Sequence, residues 1–175
     1  MVFSGSGGQG VMTAAIILAE AAVIYNGLNA VQSQSYGAEA RGGATRSDII
    51  ISDTIIHYPK VIQPNVLVCL TQEAYNKFYS IIRPGGLLIC DARYVQTEKK
   101  VDAQQKEIAM YDSVIDKIGK PIVFNICMLG AIVSLTNLVT SESILKVLEN
   151  RIPSGFIEMN RRALELGMEL GAQNR

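Results

Sequence analysis

No tryptophan and only one histidine, His57, occur among the 175 residues, and neither sign of charge is in excess: 16 Lys and Arg balance 16 Asp and Glu. A nucleic-acid-binding chain normally carries a basic surplus, so that class is not supported. The three cysteines, Cys69, Cys90 and Cys127, stand singly inside apolar stretches (VLVCL, LLIC, ICML), with no CxxC spacing. Metal and iron–sulfur ligation needs clustered soft ligands, which this chain lacks, and such isolated thiols read as small buried hydrophobes. No run reaches the roughly 18 apolar residues of a membrane span: Glu20 interrupts the first candidate, and Ile126–Val139 is too short. The N-terminus has neither a basic leader nor a cleavage site, so no secretory signal is expected. Charged residues make up only 18% against 49% hydrophobic, the reverse of a disordered tail. The expectation is one soluble, cytoplasmic, globular domain over residues 1–175, long enough to bury a core of its own.

Short β-branched runs alternate with longer helical segments, which predicts an α/β fold: a three-layer, Rossmann-like, mostly parallel sheet with helices on both faces. Met1–Ser4 reads as a first strand and Val11–Asn26 as a helix, apolar nearly all round and ended by Gly27. The first strand offers about four residues against a usual five or six, which leaves open a missing basic lead-in. Asn29–Ser33 reads as strand two, followed by a loop to about Thr45. Ser47–Ser52 and Thr54–Tyr58 read as two strands joined at Ser52-Asp53. Asn65–Leu70 and Leu87–Asp91 are continuous apolar runs of the kind buried on both faces. Thr71 is placed to cap a helix reaching about Ile82, with Glu73 near its start. Glu98–Glu107 reads as charged and solvated, Ile108–Tyr111 as a strand and Asp112–Ile118 as a helix. Asn125–Leu138 predicts an apolar central helix, and Ser141–Asn150 and Phe156–Leu170 predict amphipathic helices on either side of Pro153.

The most specific motif is Gly5-Ser6-Gly7-Gly8-Gln9-Gly10, between the first strand and the first helix. Gly5, Gly7 and Gly10 satisfy G-x-G-x-x-G in the strand–turn–helix setting that gives the pattern meaning. Glycine lets the backbone turn sharply and come close to an anion, while free N–H groups and the helix dipole attract it. The alternative is a tight turn with no ligand. A dinucleotide site also wants an acidic residue at the end of strand two, and Ala30–Ser35 has none.

A second loop, Ser35–Thr45 (SYGAEARGGAT), lies where strand two should end. Ligands of open α/β sheets sit beyond the carboxyl ends of the strands, so both loops are expected at one crevice. Arg41 between glycines can grip a carboxylate or phosphate with two hydrogen bonds, and Tyr36 offers a ring and a hydroxyl. The bland alternative pairs Glu39 or Asp48 with Arg41 and treats Gly42-Gly43 as a turn. The candidate cofactor-binding residues are therefore Gly5, Gly7, Gly8, Gln9, Gly10, Tyr36, Glu39, Arg41, Gly42 and Gly43, with no catalytic and no metal-binding residue assigned.

GSGGQGVMTAAIILAEAA at Gly5–Ala22, QSYGAEARGGATRSDIIISD at Gln34–Asp53, NVLVCLTQEA at Asn65–Ala74 and NICMLGA at Asn125–Ala131 occur in this order. Together they resemble the gamma subunit of the 2-oxoacid:ferredoxin (acceptor) oxidoreductases, which corresponds to a domain of the fused pyruvate:ferredoxin enzymes. The resemblance covers essentially the whole chain and leans toward the 2-oxoglutarate enzymes. It implies a non-catalytic subunit of a complex that oxidatively decarboxylates a 2-oxoacid to its acyl-CoA. Thiamine diphosphate, Mg and iron–sulfur clusters are then expected in the alpha, beta and delta partner subunits. CoA enters the assembled complex, and ferredoxin or a flavodoxin-like carrier accepts the electrons. This chain itself is expected to hold no cofactor, to contribute one wall of a cleft, and when isolated to be able to form a homodimer through its exposed partner surface. His57, in a predicted strand beside Tyr58-Pro59, reads as a surface or edge residue. The rival function is a free-standing Rossmann-type nucleotide-binding protein or dehydrogenase, which the missing strand-two carboxylate argues against.

Overall fold

The computed structural model describes residues 1–34 and 43–175. Its chain order is β1 (Val2–Gly5), α1 (Val11–Glu20), β2 (Asn29–Gln34), β3 (Thr45–Ser52), β4 (Val66–Cys69), α2 (Gln72–Phe78), β5 (Gly86–Asp91), β6 (Ala103–Ile108), α3 (Met110–Lys117), α4 (Phe124–Thr136), α5 (Ser141–Arg151) and α6 (Ile157–Gln173). The strands form one six-stranded sheet in the order β2-β3-β1-β4-β5-β6. The β1–β4, β4–β5 and β5–β6 pairs are parallel, whereas β3 runs antiparallel to both β1 and β2. The α/β expectation, with helices on both faces, is met by a mixed sheet.

Alternation along the buried strands separates two cores, because successive side chains leave opposite faces. Phe3, Ile49, Val68 and Ile89 pack with α1, α3, α4, α5 and α6. Val2, Leu67, Leu88 and the side-by-side pair Cys69 and Cys90 point to the other face, under Ala74, Tyr75 and Phe78 of α2. The apolar segment predicted as a central helix is α4, in which every residue from Phe124 to Ser134 is buried. It lies against α6 at glycines: a methyl group on Gly167 would overlap the Cys127 carbonyl oxygen, and one on Gly130 would overlap that of Leu164.

Local boundaries follow from particular hydrogen bonds. Thr71 accepts from the Ala74 N–H at 3.2 Å and starts α2 as expected, but the helix stops at Phe78 and tightens into a 3-10 turn over Tyr79–Ile81. The first helix is α only to Glu20 and then widens into a π turn over Ala21–Tyr25. α3 begins at Met110 rather than Asp112, because the buried Asp91 carboxylate accepts the Tyr111 N–H at 2.9 Å and the Arg93 N–H at 3.1 Å.

Three expectations fail. Thr54–Tyr58 is not a strand, and Ile55, His57 and Tyr58 are exposed; β1 and β2 already occupy both edges of β3, so a following extended segment has no ladder to join. Glu98–Glu107 is not simply solvated, since its second half forms most of β6, which pairs with β5. The strand expected at Ile108–Tyr111 is displaced accordingly: Ile108 closes β6 and Met110 opens α3.

Candidate functional site

The glycine loop leaves β1 at Gly5 and enters α1 at Val11. Gly8 and Gly10 have left-handed backbones, φ 90° and 71°. At Gly10 the requirement is twofold, because a Cβ there would also lie 2.6 Å from Asn125 Nδ2. Asn125, nearly buried at the start of α4, donates that amide to the Gly10 carbonyl at 3.4 Å. Gln9 folds back across the loop: its Oε1 accepts the Ser6 N–H at 2.8 Å and its Nε2 donates to Leu70 O at 3.3 Å. Leu70 N–H in turn donates to Ser4 O at 2.9 Å. The Gln9 side chain thus braces the loop against the end of β4, and one loop N–H is already taken by it.

Ser6, Gly7 and Gly8 remain exposed at the tip, and nothing lies within 4 Å of where a Cβ on Gly7 or Gly8 would sit. α1 starts without a side-chain cap and without an acidic residue in its first turn. An uncapped, positively polarised helix end next to exposed glycine backbone is suited to an anion.

Of the second loop, Tyr36, Glu39, Arg41 and Gly42 lie outside the described residues. Its flanks are placed. β1 and β2 run in the same direction, both antiparallel to β3, so Gln34 and Gly5 end at one rim of the sheet. Thr45, two residues beyond Gly43, pairs with Gly5 and donates its hydroxyl to the Gly5 carbonyl at 2.9 Å.

Beside the glycine loop opens a cavity of about 380 Å³, walled by Ile17, Ile126, Leu148 and Met159 and bearing the amides of Asn125 and Asn160. Its margin includes Ile122 and Phe156, which are 78% and 54% exposed. A second hollow of about 460 Å³ lies at the opposite rim, around Lys60–Val66 and Thr136. It is at the amino ends of the parallel strands, away from the end where open α/β sheets bind ligands. Asn125, Asn160 and Thr45 are absent from the sequence-derived set, because an uncharged amide or hydroxyl distant in sequence carries no pattern.

Three buried ionisable groups behind this rim, Asp91, Cys90 and Cys127, have pKa values raised from their ordinary ones. Burial raises the Asp91 carboxyl above the usual aspartate range, against the pull of the backbone N–H groups of Tyr111 and Arg93. Burial pushes the Cys127 thiol up to about 12, and the hydrogen bond with Cys69, with burial second, raises Cys90 further. Neither supplies a thiolate near neutral pH. Among the described residues, no three of His, Cys, Asp and Glu gather as metal ligands, and no helix is long and apolar enough to cross a membrane.

Fold and rim together define an α/β chain with an anion-suited glycine loop opening onto an apolar cleft. The chain belongs to the pyruvate ferredoxin/flavodoxin oxidoreductase family, whose profile matches residues 1–170. It is 45% identical to the 2-oxoglutarate synthase subunit KorC of Methanocaldococcus jannaschii, over 97% of this chain and 92% of that protein. It superimposes on the gamma subunit of a keto/oxoacid ferredoxin oxidoreductase from Geobacter sulfurreducens with a TM-score of 0.88 and 42% identity, covering 98% of this chain and 97% of that one. The same fold recurs in the 2-oxoglutarate:ferredoxin oxidoreductase of Magnetococcus marinus, solved with 2-oxoglutarate, coenzyme A and succinyl-CoA bound. There the TM-score is 0.89 at 20% identity, and the match covers 99% of this chain but 31% of that longer one.

Proposed function

We propose that this chain is the gamma subunit of a 2-oxoglutarate:ferredoxin (or related acceptor) oxidoreductase, a complex that converts a 2-oxoacid and CoA to acyl-CoA and carbon dioxide while two electrons pass to the carrier. The observation that carries this reading is the 45% identity to a 2-oxoglutarate synthase subunit over nearly the full length of both chains. Thiamine diphosphate, its Mg and the iron–sulfur clusters belong to the alpha, beta and delta partners in this reading. The donor set here fits no cluster: Cys69 and Cys90 adjoin in the sheet, among the described residues no third Cys, His, Asp or Glu joins them in a metal-holding group, and all three cysteines are buried.

CoA fits the rim better. Its phosphates match the exposed Gly7-Gly8 backbone and the uncapped start of α1, with Arg41 and Tyr36 of the second loop as side-chain contacts and Gly42-Gly43 permitting close approach. The neighbouring cleft, with Asn125 and Asn160 as amide partners, excludes water and supplies one wall. When bound, CoA supplies the thiol that accepts the acyl group. Gln9, already bonded to Ser6 and Leu70, holds the loop in shape rather than meeting the ligand. No residue of this chain is assigned a proton transfer, so its contribution is positioning and shielding in cytoplasmic complexes.

The test is a tagged copy of this chain purified with its partners from native cells and assayed for carrier reduction with several 2-oxoacids. The reading requires thiamine- and cluster-bearing chains in the preparation and highest activity with 2-oxoglutarate. In that complex, Arg41→Ala raises KM for CoA about tenfold, the loss of roughly 1.4 kcal/mol of a charge-assisted contact. An intact complex with unchanged CoA kinetics overturns the site assignment.

A further inference from the structure

The two edges of the sheet are treated differently. β6 at one edge carries Lys106 and Glu107 and follows Glu98, Lys99, Lys100 and Asp102. Thr97 folds back over it and bonds the Glu107 carboxylate through both its N–H and its hydroxyl. Charges and covering segments of this kind are how proteins keep edge strands from pairing with other chains. Among the described residues, β2 at the other edge has neither. Asn29-Ala30-Val31-Gln32-Ser33-Gln34 contains no charge, no proline and no glycine. Among the described residues no strand lies beyond it. The π turn packed against it exposes Val23 and Ile24 (48% and 61%), so the approach to this edge is apolar as well.

We infer that β2 is an interface strand and that its occupant is a second copy of this chain, paired antiparallel across a two-fold axis at Val31 so that two six-stranded sheets become continuous. A two-fold contact must be complementary to itself. An edge with net charge opposes its own copy, and this one has no charge. With the axis at Val31, period-two alternation brings Val31 against Val31 and Asn29 against Ser33 of the second copy. A β-branched pair flanked by two amide–hydroxyl pairs is a favourable cross-strand set. Val31 lies beside Ile50 of β3, and both are only half buried within one chain, so pairing removes apolar surface from water. Asn29 and Ser33 are exposed, which places them at the contact without a role in the core.

The test uses the full chain and sedimentation equilibrium. The wild type is expected to show the mass of two chains. Asn29→Lys with Ser33→Lys sets lysine against lysine on both sides of the axis and should weaken the dimer at least about tenfold, since like charges meeting across an interface are strongly unfavourable. Asn29→Glu with Ser33→Glu should do the same. Mixing the lysine and glutamate chains should restore the two-chain mass, which a folding defect would not. A monomeric wild type overturns the proposal and leaves the edge to a strand of another subunit. Undiminished pairing of the lysine chain, or failure of the mixture to recover, overturns the assigned register.

Discussion

Asn125 occupies the space that any side chain at residue 10 would need: its Nδ2 lies 2.6 Å from the position of a Cβ there and donates to the Gly10 carbonyl. The start of α4 and the anion-suited loop are thereby one construction, although 115 residues separate the two partners.

Gly10→Ala should therefore cost about 2–4 kcal/mol, combining a left-handed alanine with the clash, and lower Tm by roughly 5–15 °C. Pairing it with Asn125→Ala should make the double variant at least about 1 kcal/mol more stable than the sum of the singles. Strict additivity in urea unfolding contradicts the contact. Gly7→Ala, with open space and no positive φ, should stay within about 0.5 kcal/mol of the wild type.

Helix propensity alone makes Gly167→Ala stabilising by about 1 kcal/mol. The α4–α6 contact reverses that sign, because the methyl would overlap backbone at Cys127, which cannot rotate away. We expect a loss of more than about 3 kcal/mol, or no folded protein. A variant at least as stable as the wild type shows that the helices can separate at little cost.

Asp91 has a raised pKa in the folded protein because it is buried. The native state therefore holds its proton to higher pH than the unfolded chain does. The stability linked to that proton is present below the ordinary aspartate value and is lost as pH rises through the raised one. Asp91→Asn removes this dependence but keeps only one acceptor oxygen for two N–H groups. Melts from pH 3 to 7 should show the variant weakest relative to wild type at the acid end, with the gap narrowing as pH rises. A constant gap contradicts the assignment.

Cys69, Cys90 and Cys127 are buried, and the latter two carry raised pKa values. Ellman's reagent at pH 8 should titrate fewer than one thiol in the native chain and three in guanidinium. Rapid reaction of any thiol in the folded protein would show an opening absent from this structure.

The apolar runs around Leu67 and Ile89 identify β4 and β5 from sequence because strands buried on both faces read as near-continuous hydrophobic runs. The glycine spacing at Gly5, Gly7 and Gly10 marks the loop because few other residues allow a strand to turn so abruptly into a helix. β6 escaped the same reading. As an edge strand it needs a ladder only on the β5 side, so Ala103–Ile108 tolerates Gln104, Gln105, Lys106 and Glu107. Thr54–Tyr58 misled in the opposite way, with β-forming composition and no partner strand.

What the sequence alone determined was local: which segments are apolar with which period, where the chain must turn, and which loops can approach an anion. Strand direction, the order β2-β3-β1-β4-β5-β6, the brace from Gln9 to Leu70 and the fit of Asn125 against Gly10 were decided by the tertiary structure. Periodicity records which face of an element is dry. It does not record which distant element makes it dry, because burial is satisfied equally by many partners and only simultaneous packing of all of them selects one.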